Sequence, residues 1–142
     1  KGVLSVEKKL FVETNNGTNR QIRPVTPEQP LRIGDKVIVR LTIRTDREMN
    51  YVFLKDLRAG CFEPADQLSG PESRDGIWYY RSPKEVSENF FINRLPEGTF
   101  VLEYPVYVSR SGEYAGGIST IQCMYAPEFV SHTAGESLRI MP

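Results

Sequence analysis

Lys36-Val37-Ile38-Val39-Arg40-Leu41-Thr42-Ile43-Arg44-Thr45 alternates with period two. Val37, Val39, Leu41 and Ile43 point one way, while Arg40, Thr42 and Arg44 point the other. That is the pattern of a strand with one face in a core and one in water. Gly34-Asp35 in front of it is a turn signal. Beyond it, Tyr51 to Leu57 continues in the same style, and the short link Thr45-Asp46-Arg47-Glu48 predicts that this second strand is an antiparallel neighbour of the first.

Working outward, the same period recurs. Ile77 to Arg81 and Val86 to Arg94 read as strands, the second carrying Phe90, Phe91 and Ile92. Pro96-Glu97-Gly98 turns the chain into Thr99 to Val108, where Phe100, Leu102, Tyr104, Val106 and Val108 share a face. Pro105 has no N–H for a ladder, which predicts an edge or a bulge there. Ser111-Gly112 makes another turn, and Gly117 to Tyr125 reads as a strand with Ile121, Cys123 and Tyr125 on one face. Leu138 to Met141 is expected to close a sheet edge. At the other end, Gly2 to Val12 and Arg20 to Val25 are joined through Asn15-Asn16-Gly17. Between Arg58 and Gly76 the chain reads as one long loop with Gly60, Pro64, Gly70 and Pro71. Helical periodicity is hard to find. Eight or nine short strands with turns between them predict an all-β, antiparallel two-sheet β-sandwich, a single domain over residues 1–142.

The sequence has 142 residues, enough to bury a real core, and begins at Lys1, which reads as a piece of a larger protein. No stretch approaches the about 18 consecutive apolar residues of a membrane helix. Eighteen Lys and Arg balance eighteen Asp and Glu. Nucleic-acid binders carry a basic excess that releases phosphate counterions, so neither nucleic acid nor membrane is an expected partner. Two cysteines and one histidine are too few for a structural zinc site, and no metal or cofactor is expected. Cys61 and Cys123 can pair as a disulfide if the compartment is oxidising, or remain half-buried free thiols; their separation in sequence decides nothing.

Candidate chemistry is thin. Asp and Glu fall mostly at turns or on outward strand faces, which predicts solvated carboxylates rather than an acid–base pair. His132, the lone histidine, sits in the polar stretch Ser131-His132-Thr133 and reads as an exposed loop residue rather than a general base. No Gly-rich loop leads from a strand into a helix, so the chain is not read as an enzyme. Trp78-Tyr79-Tyr80 could stack sugar rings, as in a carbohydrate-binding or adhesion module. Neighbouring strand residues face opposite ways, so core packing with one exposed edge is the plainer expectation. Asn16-Gly17-Thr18 fits an N-glycosylation sequon and equally a tight hairpin turn. Cys123-Met124-Tyr125-Ala126-Pro127-Glu128-Phe129 stays apolar and aromatic after the strand pattern breaks, as side chains that contact a neighbour do.

Three stretches together resemble a known family. Leu31-Arg32-Ile33-Gly34-Asp35-Lys36-Val37-Ile38-Val39 resembles the opening of many macroglobulin-like domains. Asp56-Leu57-Arg58-Ala59-Gly60-Cys61-Phe62-Glu63-Pro64 resembles a strand-to-loop D-L-P-A-G-F-E pattern. Leu95-Pro96-Glu97-Gly98-Thr99-Phe100-Val101-Leu102-Glu103-Tyr104, then Gly112-Glu113-Tyr114 and Met124 to Phe129, resemble the closing half. In order and spacing they are similar to the C-terminal, tenth macroglobulin-like domain of bacterial alpha-2-macroglobulins. Arg58 stands where that pattern prefers proline, and Gly116-Gly117 where Pro-Pro is commoner.

The resemblance implies a macroglobulin- or immunoglobulin-like sandwich within a periplasmic or cell-surface protease trap. Its implied partners are a helical thioester domain and other macroglobulin-like domains of the same chain, with trapped proteases as partners of the whole protein. The family's thioester joins a Cys to a Gln three residues later. Cys61-Phe62-Glu63-Pro64 and Cys123-Met124-Tyr125-Ala126 do not fit, so this chain does not hold the bond. A Met-Tyr pair of the closing domain helps cover it in the family, and that pair maps onto Met124 and Tyr125.

Overall fold

The computed structural model describes residues 3–17, 19–66 and 68–142. Strands are numbered along the chain. The first sheet runs β2 (Asn19–Pro24), β1 (Leu4–Asn16), β4 (Lys36–Thr45), β10 (Gly98–Val108), β6 (Phe62–Pro64). The second runs β13 (Val130–His132), β12 (Ser119–Cys123), β5 (Met49–Leu57), β9 (Ser87–Leu95), β8 (Ile77–Pro83), β7 (Gly70–Arg74). Every pairing within these two sheets is antiparallel.

The inward sets predicted from period two pack between the sheets. Val37, Val39, Leu41 and Ile43 of β4 are almost wholly buried and meet Leu102, Tyr104, Val106 and Val108 of β10 in one core. Burying each such aliphatic side chain contributes about 1.5–3 kcal/mol. Across the gap stand Val52 and Leu54 of β5, Phe90 and Ile92 of β9, and Ile121 of β12. The Pro105 carbonyl accepts the Ala65 N–H at 3.3 Å, on the side away from β4. β6 has ended there, so β10 is locally an edge and the proline ring takes no hydrogen bond from the β4 ladder. Gly17, with φ 73°, supplies the left-handed residue of the β1–β2 hairpin. Thr18, and with it the sequon reading, lies outside the described residues.

Several expectations need correction. β4 and β5 are not paired: the link after Thr45 crosses from one sheet to the other, because both strands have filled inner faces that must meet across the core. The stretch from Arg58 to Gly76 is not one loop but contains β6 and β7, which extend one edge of each sheet. The C-terminal strand β14 (Ser137–Met141) joins neither large sheet. It pairs antiparallel with β11 (Gly112–Ala115) and parallel with β3 (Leu31–Arg32) in a third, small sheet. Its Ile140 and the facing Leu31 close one end of the core.

Both cysteines are buried free thiols rather than a disulfide. Cys61 leads into β6 at the edge of the first sheet, where its carbonyl accepts the Ser109 N–H at 2.8 Å. Cys123 ends β12 in the second sheet and directs its thiol to the Asn50 carbonyl at 3.3 Å.

The carboxylates are not all solvated either. Asp56 and Glu88 are fully buried and face each other as register partners on β5 and β9. Asp56 Oδ1 accepts from Lys8 Nζ and Ser119 Oγ, both at 2.7 Å, and Oδ2 accepts from the Tyr104 hydroxyl. Lys8 and Tyr104 belong to the first sheet, Asp56 and Ser119 to the second, so one carboxylate joins the two layers. Glu88 accepts from Arg81 Nε at 2.5 Å and from Arg58 at 3.1 Å. Like charges opposite one another are destabilising, and these three cations neutralise the pair. The sequence signal was available: Asp56 shares the inward parity of Val52 and Leu54, and Glu88 that of Phe90 and Ile92.

Burial, and then the charge of Asp56, holds the Tyr104 phenol well above its ordinary value. Burial pushes Cys61 up to about 11. A group whose folded pKa is raised stabilises the fold below its unfolded pKa, about 10 for tyrosine and about 8.5 for cysteine, and loses that contribution as pH rises toward the folded value. The urea midpoint is therefore expected to fall as pH rises from 8 to 11. Tyr104→Phe should lower stability at pH 8 by about 1–3 kcal/mol, because it leaves Asp56 Oδ2 without a donor, yet show a shallower alkaline decline. A Cys123→Ala variant should release Cys61 to a thiol reagent in denaturant, and about 100-fold or more slowly when native, given its thiolate fraction; fast native labelling at pH 8 would contradict this.

Candidate functional site

Three regions could carry function, and chemistry separates them. The first is the buried Asp56–Glu88 pair. Burial raises the Glu88 carboxyl above the usual range against the opposing pull of Arg81 and Arg58. A raised acid beside a second carboxylate is the signature of acid–base catalysis, but both side chains have no exposure and every oxygen is occupied by a cation or hydroxyl. Substrate cannot reach them, and the pair is structural.

The second is a half-open groove of about 1150 Å³ between β1, the β2–β3 connection and the last ten residues. Lys8 is among its lining residues, but the amine is turned toward Asp56 and also donates to the Gly116 and Gly117 carbonyls at 3.3 and 3.4 Å. Gly117 has φ 66°, and a Cβ there would meet the Leu57 carbonyl oxygen at 2.2 Å, so only glycine fits. His132 lines the groove as the last residue of β13, a strand rather than the expected loop, and is exposed. Its ring Nδ1 contacts the next carbonyl, of Thr133, at 3.2 Å. Among the described residues no group of three or more His, Cys, Asp or Glu could hold a metal ion.

The third region is the tip after β12. The strand stops at Cys123, two residues before its expected end. The Ala126 N–H donates to the Cys123 carbonyl at 3.2 Å and the Phe129 N–H to the Ala126 carbonyl at 2.9 Å, giving two consecutive β-turns. Met124 and Tyr125 are the central residues of the first; Pro127, at the favoured second position, begins the bend of the other. The Cys123 N–H closes the base on the Phe129 carbonyl at 3.0 Å. Phe129 packs against the core and Arg47 lies 5.3 Å from its ring centre. With the base anchored, the tip points out: Met124 is 52% and Tyr125 80% exposed. The Tyr125 ring leans on Tyr51, centroids 4.8 Å apart, and the Met124 N–H donates to the Tyr51 carbonyl at 2.8 Å.

An aromatic strip occupies the outer face of the second sheet. Phe53 and Phe91 stack at 4.8 Å, Tyr80 pairs in register with Phe91, and Trp78 follows on the same face of β8. Trp78 is 71% exposed and only Tyr79 of the Trp-Tyr-Tyr run enters the core, which corrects the expectation of core packing with one exposed edge. The outer face of the first sheet is instead charged, with ion pairs Arg40–Glu103, Lys36–Glu13 and Arg44–Glu7, and Arg74 from the edge of the second sheet also reaches Glu103. Sequence reasoning singled out Met124 and Tyr125, and Trp78 and Tyr80 of the strip, but not Tyr51, Phe53 or Phe91, since an aromatic residue on a strand reads as core until the register is known.

Comparison with known proteins agrees with this architecture. Salmonella alpha-2-macroglobulin reacted with methylamine is 21% identical with a TM-score of 0.75, over 99% of this chain and 9% of that one. Escherichia coli alpha-2-macroglobulin activated by porcine elastase is 18% identical with a TM-score of 0.76, over 100% and 13%. Native E. coli alpha-2-macroglobulin from domain MG7 to the C-terminus is 16% identical with a TM-score of 0.73, over 99% and 24%. These likenesses are of fold, and the chain spans a small part of each. Circularly permutated Ras protein 2 of Dictyostelium discoideum is 27% identical over 109 residues, 77% of this chain and 3% of that protein. The family model described as the bacterial alpha-2-macroglobulin MG10 domain matches residues 4–128. The chain thus belongs to the bacterial alpha-2-macroglobulin family, as its MG10 domain.

Proposed function

We propose that this chain is the closing, non-catalytic domain of a protease trap, and that it docks on the helical thioester domain of the same protein and covers the thioester with Met124 and Tyr125. The observation that carries the reading is the hydrogen-bonded double turn that presents these two side chains to the outside instead of to their own core. A thioester survives only where water and amines are excluded. A thioether and a phenol ring offer a polarisable, weakly hydrated wall for that purpose. The solved relatives support the setting: one was reacted with methylamine and another activated by elastase. An extracytoplasmic location, where such a trap meets proteases, belongs to the same proposal. Among the described residues no helix is long and apolar enough to cross a membrane.

One observation favours a second reading, a carbohydrate-binding or adhesion surface: the exposed strip of Trp78, Tyr80, Phe91 and Phe53, whose ring faces suit the apolar faces of sugars.

For the first reading, Met124→Ala with Tyr125→Ala in the full-length protein should speed reaction with methylamine about tenfold or more, equivalent to roughly 1.4 kcal/mol of lost protection. The domain's thermal midpoint should hardly move, since surface changes usually stay within about 0.5 kcal/mol. Unchanged methylamine reactivity would remove the shielding role. For the second, glycan-array binding that disappears in Trp78→Ala is the expected result, and an array without signal for the native chain rules it out.

A further inference from the structure

We infer that Tyr51 is the positioning residue that holds the Met124–Tyr125 turn outward, through a left-handed backbone and its own ring; the inference rests on the shielding reading above. Among the described residues only Tyr51 and Asp75 are non-glycine residues with positive φ. Asp75, at φ 55°, is accounted for by its place with Gly76 in the β7–β8 hairpin, where its carboxylate accepts the Val101 N–H at 2.8 Å. Tyr51, at φ 59°, lies within β5, and a bulky residue in that region is an outlier.

The local consequence is a break in alternation. Met49 and Val52, three residues apart, both enter the core, and Asn50 and Tyr51 between them both face outward. β9 follows suit, with Leu95 and Ile92 buried and Asn93 and Arg94 exposed. Strict alternation from Met49 would have sent the Tyr51 ring inward. Turned out, it stands beside Tyr125 at 4.8 Å while its carbonyl takes the Met124 N–H at 2.8 Å. The preceding carbonyl, of Asn50, takes the Cys123 thiol. Two consecutive residues of β5 thus fix three consecutive residues of the tip. Strained backbone persists where surrounding structure over-determines it, and it concentrates at functional positions. Glycine adopts this φ without a steric penalty, so the backbone geometry alone does not call for tyrosine. A tyrosine there serves the ring contact.

The experiment compares Tyr51→Gly, Tyr51→Asn and Tyr51→Phe in this chain, reading the urea midpoint and the rate of native-state chymotryptic cleavage after Tyr125, located by mass. Asn also tolerates the left-handed region, so the ring can be removed with the backbone kept even if glycine loosens the strand. We expect Gly and Asn to be cut about tenfold faster or more, because local opening becomes easier, with an unchanged or higher midpoint, and Phe to match the native chain. Unchanged cleavage in both ringless variants overturns the inference. So does a faster cut explained by an equal fall in the midpoint, which marks a merely structural residue. Methylamine reactivity of the Met124→Ala, Tyr125→Ala protein is scored separately: if it is unaltered while the ringless variants are cut faster, positioning stands and shielding falls.

Discussion

Asp56 is the point on which the two sheets are joined. Its carboxylate is fully enclosed and takes hydrogen bonds from Lys8 and Tyr104 of one layer and Ser119 of its own. An apolar sandwich core is non-directional; its sheets can slide or rotate with little change in buried area. A buried charge with three fixed donors does not permit that, because displacement by a few ångströms leaves an ion without partners, at a cost of about 3–5 kcal/mol when one member of such a pair is lost. Glu88, its register partner on β9, is neutralised by Arg81 and Arg58 in the same layer, and Arg81 reaches on to Asp66 and Glu72 at the rim. The polar layer crosses from β1 through β10, β5, β12, β9 and β8, and it sets one relative placement of the sheets.

That placement gives the molecule two unlike faces. The first sheet shows solvent a ladder of alternating charges, with Arg40 lying 4.4 Å from the Phe11 ring centre. The second shows aromatic rings with few charges among them. The tip bearing Met124 and Tyr125 springs from this second sheet and touches its aromatic surface through Tyr51. Proteins seldom leave a ring-bearing sheet face adjacent to a projecting apolar turn without a neighbour for it.

Fold class was legible because period two is a direct imprint of one-sided burial. In β4 and β10 each predicted inward residue is in the core or packs against it. What local pattern cannot show is which sheet a strand joins. β4 and β5 look like a hairpin because their link is short, yet the decision is made by the volume between inner faces, a property of the whole chain. Parity also carried more than was read from it. Lys8 shares the face of Val6 and Val12, Asp56 that of Leu54, Arg81 that of Tyr79, and Glu88 that of Phe90. A charge on the inward parity of a convincing strand signals a buried partner elsewhere. At the site, Met124 and Tyr125 were visible as oily residues past the end of a pattern, while Tyr51 was not, since its left-handed backbone breaks the periodicity used to read it.

Arg58 stands where the pattern that this stretch resembles has proline, and the arginine has a local logic. Proline stiffens a chain as it leaves a strand; here the guanidinium does so by binding the Lys84, Glu85 and Ser87 carbonyls and the Glu88 carboxylate. One buried N–H, at Nε, is left without a partner.

The members of the Asp56 clasp are spread along the polypeptide, at positions 8, 56, 104 and 119. A growing chain emerging from the ribosome therefore displays its first strands long before the residues that satisfy their ionic groups exist. Until Ser119 has cleared the exit tunnel, closing the layers would bury Asp56 with one of its three donors missing, a cost that favours assembly late and as a unit.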